Sequence, residues 1–150
     1  MTDFFEFESD FVDSLRCIPM IVRMKLDTCG VKLKLNHWYQ FSEAERKTLV
    51  NLPCTTEQES QEYRQYLQQK VIEKTGKPAG ELAIDSQPAW EVVENIPVEV
   101  SNKAAETGRK ITQQQWADLT NIQRFALIKL SRSSHENKNF LPALQEFNLI

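Results

Sequence analysis

Apolar residues recur along this chain at helical spacing, whereas the alternating patterns typical of strands are short and scarce. Four residue pairs three positions apart fit the capping box, in which two side chains satisfy unpaired amides at a helix start. These pairs are Ser42/Glu45, Thr56/Glu59, Thr112/Gln115 and Thr120/Gln123. Gly30, Gly76 and Gly108 follow periodic segments and suit helix ends, where glycine adopts the left-handed conformation. The pattern predicts an all-α fold.

Part of this pattern occurs twice. Residues 18–52 align without a gap on residues 96–130 at a constant offset of 78, and ten of the 35 positions are identical. Average composition predicts roughly two identities by chance. The identical pairs are Ile18/Ile96, Pro19/Pro97, Val22/Val100, Lys25/Lys103, Gly30/Gly108, Lys32/Lys110, Trp38/Trp116, Arg46/Arg124, Leu49/Leu127 and Leu52/Leu130. We interpret them as an internal duplication, which builds two sequence-related three-helix units within a single helical domain of residues 1–150.

Each copy is predicted to hold a helix opened by proline, a short helix that carries the tryptophan, and a capped third helix. A linker helix from Glu57 to Lys74 joins the copies. The third helix of the second copy is apolar almost all round, which predicts burial on most sides. Residues 131–139 are expected to form an exposed loop, and Phe140, Leu144 and Phe147 to mark a final short helix.

Duplication separates scaffold residues from site residues, since a residue shared by both copies is explained by their common fold. Trp38 and Trp116 are therefore interpreted as packing anchors. Arg46 and Arg124 are interpreted as structural, through an ion pair or contacts with carbonyl groups.

The residues that the copies do not share concentrate in the first helix. Arg16, Met20, Arg23 and Asp27 follow one another at spacings of 4, 3 and 4, opposite the apolar face of that helix. Their counterparts in the second copy are Glu94, Val98, Ser101 and Ala105. Two arginines, a pliable methionine and an aspartate are typical of a surface that binds another protein. The alternative is an ordinary solvated helix face.

Composition restricts the functional classes. The chain is 41% hydrophobic and 26% charged, with a formal net charge of −3. This excess of negative charge does not favour binding to nucleic acid. No segment has the roughly 18 to 20 apolar residues of a membrane helix, and the acidic start lacks the features of a secretory signal. We therefore expect a cytoplasmic protein with no membrane partner.

The sequence contains no recognisable catalytic or cofactor motif. Cys17, Cys29 and Cys54 lack the close spacing of metal ligands, which favours free thiols, no bound metal and no cofactor. Phosphate loops, nucleophile elbows and HExxH motifs are absent from the sequence, so we expect no enzymatic activity. A nucleophilic pair of Cys17 with His37, or of Cys54 with His135, stays open because such partners meet in space. His37 itself is more typical of a satisfied surface or half-buried histidine.

The segment from residue 10 to residue 54 resembles the nitrate reductase associated protein family of cyanobacteria. The resemblance is carried by the string DFVDSLRCIPMIVRMKLDTCGVKLKL, which begins at Asp10, and by Trp38, Phe41, Glu45, Arg46 and the Leu52-Pro53-Cys54 segment. It extends to Trp116, Leu119 and residues 124–127. The resemblance implies a small cytoplasmic accessory protein needed for the activity of assimilatory nitrate reductase, which carries molybdenum and iron-sulfur cofactors of its own.

Two hypotheses of different classes follow. In the first, a non-catalytic accessory protein binds nitrate reductase through Arg16, Met20, Arg23 and Asp27 and supports its maturation or stability. In the second, Cys17, Cys29 and Cys54 carry a thiol-bound group or a metal during maturation of the molybdenum cofactor or iron-sulfur cluster. A regulatory module that reads a nitrogen metabolite between the copies is a third possibility without a supporting motif.

Overall fold

The computed structural model describes residues 4–8, 17–132 and 137–150. Helices dominate this part of the chain, which confirms the predicted class. The α-helices are α1 (Met20–Cys29), α2 (Leu35–Gln40), α3 (Glu43–Asn51), α4 (Glu57–Thr75), α5 (Val98–Glu106), α6 (Gln113–Asp118), α7 (Asn121–Arg132) and α8 (Phe140–Glu146). Short 3-10 turns lie at Glu6–Glu8, Ala89–Glu91 and Asn137–Asn139. None of the described helices is both long enough and apolar enough to cross a bilayer.

The chain forms two compact units, Met1–Asp85 and Ser86–Ile150. The first unit contains α1 to α4 and a small antiparallel ribbon of β1 (Val31–Lys32) and β2 (Gly80–Glu81). The second contains α5 to α8. Whether all 150 residues make a single domain stays a prediction.

Helix starts and ends follow the local signals. At all four predicted capping boxes the serine or threonine hydroxyl accepts from the backbone amide three residues later, at 3.1 to 3.3 Å. In return, the glutamate or glutamine accepts from the amide of the capping residue. Gly30, Gly76 and Gly108 have φ of 77°, 82° and 74°. Gly30 is also required sterically, because a Cβ there would lie 2.9 Å from the Leu82 carbonyl oxygen.

In the first unit, α1 packs on α3, α4 and β1. Its core includes Val22, Trp38, Leu49, Tyr63 and Leu67, none more than 1% exposed. The predicted linker helix forms as α4, and its buried face of Tyr63, Leu67 and Val71 belongs to this core. It is therefore an integral helix of the first unit.

In the second unit, α7 packs on α5, α8 and the Ala89–Glu91 turn. Six of its residues are buried, which confirms the prediction of a helix covered on most sides. The final helix forms as α8, with Phe140, Ala143 and Leu144 buried. The predicted loop of residues 131–139 is wrong at both ends, since α7 continues to Arg132 and Asn137–Asn139 is a 3-10 turn. Residues 133–136 lie outside the described part of the chain.

Candidate functional site

The predicted stripe on the first helix is not the exposed surface that we expected. Arg16 lies outside the described residues. Met20 opens α1 and is only 4% exposed, so its assignment to the solvent face is wrong. Arg23 and Asp27 are half-buried, and each makes further interactions within the protein. The Arg23 Nε donates to the Ile18 carbonyl oxygen at 3.2 Å.

The reason lies in how many elements surround α1. A helical wheel assigns one face to the core and leaves the opposite face to solvent. Here no residue of α1 is fully exposed. At its N-terminus, the Glu8 carboxylate accepts from the Met20 amide at 3.1 Å, and Glu8 is only 1% exposed. The Glu6–Glu8 turn thus covers the start of the helix.

Glu8 is a structural carboxylate that sequence reasoning missed. Pro19 precedes α1 and provides no side-chain cap, so the helix start needs an acceptor from elsewhere. Glu8 provides it, and its second oxygen accepts from the Phe5 amide at 3.0 Å. A carboxylate also interacts favourably with the positive end of the helix dipole. The sequence did contain one indication of this contact, because a helix that begins after proline and has no capping side chain needs an acceptor from elsewhere in the chain.

Lys25 is a second buried ionic group with a structural task. It is 9% exposed, and its Nζ donates to the Val50 and Leu52 carbonyl oxygens, both at 2.6 Å. The Tyr63 hydroxyl donates to the neighbouring Leu49 carbonyl oxygen at 2.7 Å. These carbonyls end α3, where the last groups of a helix have no partner within it. Lys25 and Tyr63 therefore close α3 from two other helices.

Arg46 and Arg124 do the same for the two short helices. Arg46 donates to the Trp38 and Tyr39 carbonyl oxygens, both at 3.0 Å, at the end of α2. Arg124 donates to the Trp116 and Ala117 carbonyl oxygens at 3.2 and 3.4 Å, at the end of α6. The predicted carbonyl contacts are thus confirmed.

The tryptophans whose carbonyl groups these arginines contact are core residues. Trp38 and Trp116 are both 0% exposed, as expected of packing anchors. Arg124 also donates to the Trp90 carbonyl oxygen at 2.7 Å, and the Trp90 ring meets Phe125 edge-on at 5.0 Å. The role of Trp90, which has no place in the alignment, was missed from sequence.

His37 takes part in a helix start. Its Nδ1 accepts from the Lys34 amide at 3.1 Å, the position that the Gln115 side chain fills at Thr112. Partial burial, followed by the charge of Lys34, lowers the pKa of His37. The expectation of a satisfied, half-buried histidine is confirmed.

Two of the three cysteines are poorly placed for thiolate chemistry. Cys29 and Cys54 are 2% and 6% exposed, and Cys17 is half-buried. Burial, and then the neighbouring Cys54, raise the pKa of Cys29 to about 12. Burial likewise raises the pKa of Cys54. Within the described residues, no three cysteine, histidine or acidic side chains are grouped as metal ligands. The predicted partner His135 lies outside those residues.

Comparison with known proteins identifies a family. The family model described as conserved nitrate reductase-associated protein matches residues 4–147, which is nearly the whole chain. Neither the curated proteins nor the solved structures contain a match.

Proposed function

The chain belongs to the family of conserved nitrate reductase-associated proteins, and on that premise we propose that it is a non-catalytic accessory protein of assimilatory nitrate reductase. It binds the reductase and supports its maturation or its stability. The observation that carries this proposal is the family match over residues 4–147. A protein that binds one state of a client stabilises that state by mass action, with no chemistry of its own.

We place part of the contact at the edge of α1 that carries Arg23 and Asp27, with Arg16 as the neighbouring charge in sequence. Both described side chains are half-buried and tied to the protein. Charged groups that are already held in place lose less conformational entropy on binding than mobile ones. Met20 is buried and therefore forms no part of the proposed contact.

The two buried cysteines do not favour a role in carrying a metal or a thiol-bound group. Thiolate is the form that binds metals and attacks electrophiles. Burial raises the pKa of Cys29 and Cys54, so both remain protonated thiols at neutral pH.

We also propose that the two helical stretches descend from one duplicated segment. Support comes from the helix starts: α1, α2 and α3 begin 78 positions before α5, α6 and α7. Further support comes from Arg46 and Arg124, which contact the carbonyls of Trp38 and Trp116 at the same spacing of 8 residues. The duplicated helices would serve as a rigid scaffold, and the first unit would carry the surface that contacts the reductase.

Two experiments test the accessory role. The tagged protein should capture nitrate reductase from cells that express both. Cells that lack the protein should contain less active reductase, and the molybdenum and iron content of the purified enzyme distinguishes poor cofactor loading from poor stability. Reductase of normal activity and cofactor content in such cells, together with no capture, would refute the proposal.

The α1 edge is tested by Arg23→Glu, with Arg109→Glu as the matched control. Arg109 is an exposed arginine of the second unit. We expect Arg23→Glu to weaken capture by about tenfold, as one good contact is worth on the order of 1.4 kcal/mol. Urea unfolding of both variants checks for a fold defect. Unchanged capture by Arg23→Glu would show that Arg23 has a structural role and does not contact the reductase.

A further inference from the structure

The first residue of α1 is covered, although the equivalent position in the second copy is open. Met20 is 4% exposed, whereas its counterpart Val98, which begins α5, is 70% exposed. Both helices follow a proline, and neither proline provides a side-chain cap. An exposed helix start can leave its first amides to water. A helix of this kind therefore forms without a cover, and the cover of α1 is an addition in the first unit.

The segment Phe4–Glu8, here named the strap, lies at this start of α1. The Glu8 carboxylate accepts from the Met20 amide at 3.1 Å and, with its other oxygen, from the Phe5 amide at 3.0 Å. Glu8 is only 1% exposed, so the carboxylate and the helix start are shielded from water together. Phe4 packs against the core of the first unit. The strap is thus joined to α1 through a charged side chain and to the core through an aromatic ring.

The contacts of the strap favour reversible attachment. Its three phenylalanines are only half-buried, and two of them stack on each other with ring centroids 5.1 Å apart. Half-buried rings contribute less to stability than fully buried ones. Release of the strap also returns a buried carboxylate to water, which offsets part of the lost hydrogen bonding. Opening of the strap leaves in place the packing of α1 on α3, α4 and β1.

We propose that the strap is an autoinhibitory segment, which in its closed position covers the part of α1 that binds nitrate reductase. Opening exposes Met20 one helical turn before Arg23, so that a pliable apolar side chain and a planar cation lie together on α1. Met20 is outside the contact only while the strap is closed. When the binding-competent state is a minor fraction, the apparent affinity falls by that fraction. This inference rests on the proposed accessory function and adds a regulation to it.

Two measurements on the protein alone test the opening. In the wild type, the Met20 amide should exchange its hydrogen at least about 100-fold faster than the buried Leu26 amide of the same helix, because local opening costs less than global unfolding. In peroxide footprinting, Glu8→Ala should speed the oxidation of Met20 relative to the half-buried Met24 by at least about fivefold, and Glu6→Ala, at an exposed glutamate of the same turn, should not. Exchange of the Met20 amide only by global unfolding, or oxidation unaltered by Glu8→Ala, would overturn the inference. The exchange measurement needs no substitution, so it remains a test even if a variant loses its fold.

Binding to purified nitrate reductase, measured by biolayer interferometry, tests the autoinhibition. Glu8→Ala and Phe4→Ser should each bind at least about tenfold more tightly than the wild type, and Glu6→Ala should stay within about twofold of it. A strap with a purely structural role predicts the opposite sign, because a loosened scaffold weakens binding. Urea unfolding checks that the variants stay folded. Wild-type binding with unchanged or weaker affinity of both strap variants would overturn the inference and leave the accessory function intact. Absence of binding by the wild type and by both strap variants would refute the accessory function itself.

Discussion

Replacement of Lys25 by methionine should destabilise the first unit strongly. The substitution keeps the length of the side chain but removes the ammonium group that donates to the Val50 and Leu52 carbonyl oxygens at 2.6 Å. A hydrogen bond from a charged donor contributes roughly 1.5 to 3 kcal/mol, and an unpaired buried carbonyl costs roughly 1 to 3 kcal/mol. Relief from burying an ammonium group offsets part of this loss. We expect the free energy of unfolding to fall by about 3 kcal/mol.

The control is Lys103→Met, the equivalent position in α5. Lys103 is half-buried, with 18% of its side chain exposed, and pairs with the exposed Glu106 at 3.7 Å. An ion pair with one partner in solvent contributes only about 0 to 1 kcal/mol. Urea unfolding followed by circular dichroism and tryptophan fluorescence measures both variants. Equal losses for Lys25→Met and Lys103→Met, or a loss below about 1 kcal/mol for Lys25→Met, would refute the view that Lys25 closes α3.

Three further predictions concern other groups. Arg124→Lys should lower the free energy of unfolding by about 2 kcal/mol and Arg46→Lys by about half as much. The reason is that Arg124 is only 5% exposed and its guanidinium group donates to several acceptors. Equal losses for the two variants in urea unfolding would contradict this. In the native protein at pH 8, a thiol reagent followed by mass spectrometry should label Cys17 first and reach Cys29 and Cys54 only on unfolding; equal rates at all three would contradict their protection. The folded protein lowers the pKa of His37, so its contribution to stability should be complete above pH 6.5 and be lost as the pH falls through the folded pKa. Nuclear magnetic resonance titration should place that midpoint below 6.5, and His37→Gln should remove the dependence.

Sequence reasoning succeeded where the cause is local. The capping boxes at Ser42 and Thr120 and the left-handed glycine at position 76 are set by residues within one helical turn. The burial of Trp38 and Trp116 also followed, because a large aromatic repeated at one offset has a packing role in both places.

The failures share a different cause. The exposure of Met20 depends on whether the distant Glu6–Glu8 turn covers α1, and no periodicity within the helix reports that. The sequence analysis gave Lys25 no role beyond its match with Lys103, because its acceptors are 25 and 27 positions away in sequence. Contacts between distant segments decided both cases.

The closure of α3 by Lys25 and Tyr63 has a consequence for how the first unit can be divided. Because the last carbonyls of α3 are satisfied by side chains from α1 and from α4, neither neighbour can be removed without exposing them. A polypeptide cut between α3 and α4 should therefore yield a first piece that stays unstructured alone and a second piece in which α4 is unfolded, and the helicity of the first unit should return only when the two are mixed. Expression of shortened forms for crystallisation should keep α1, α3 and α4 in one piece.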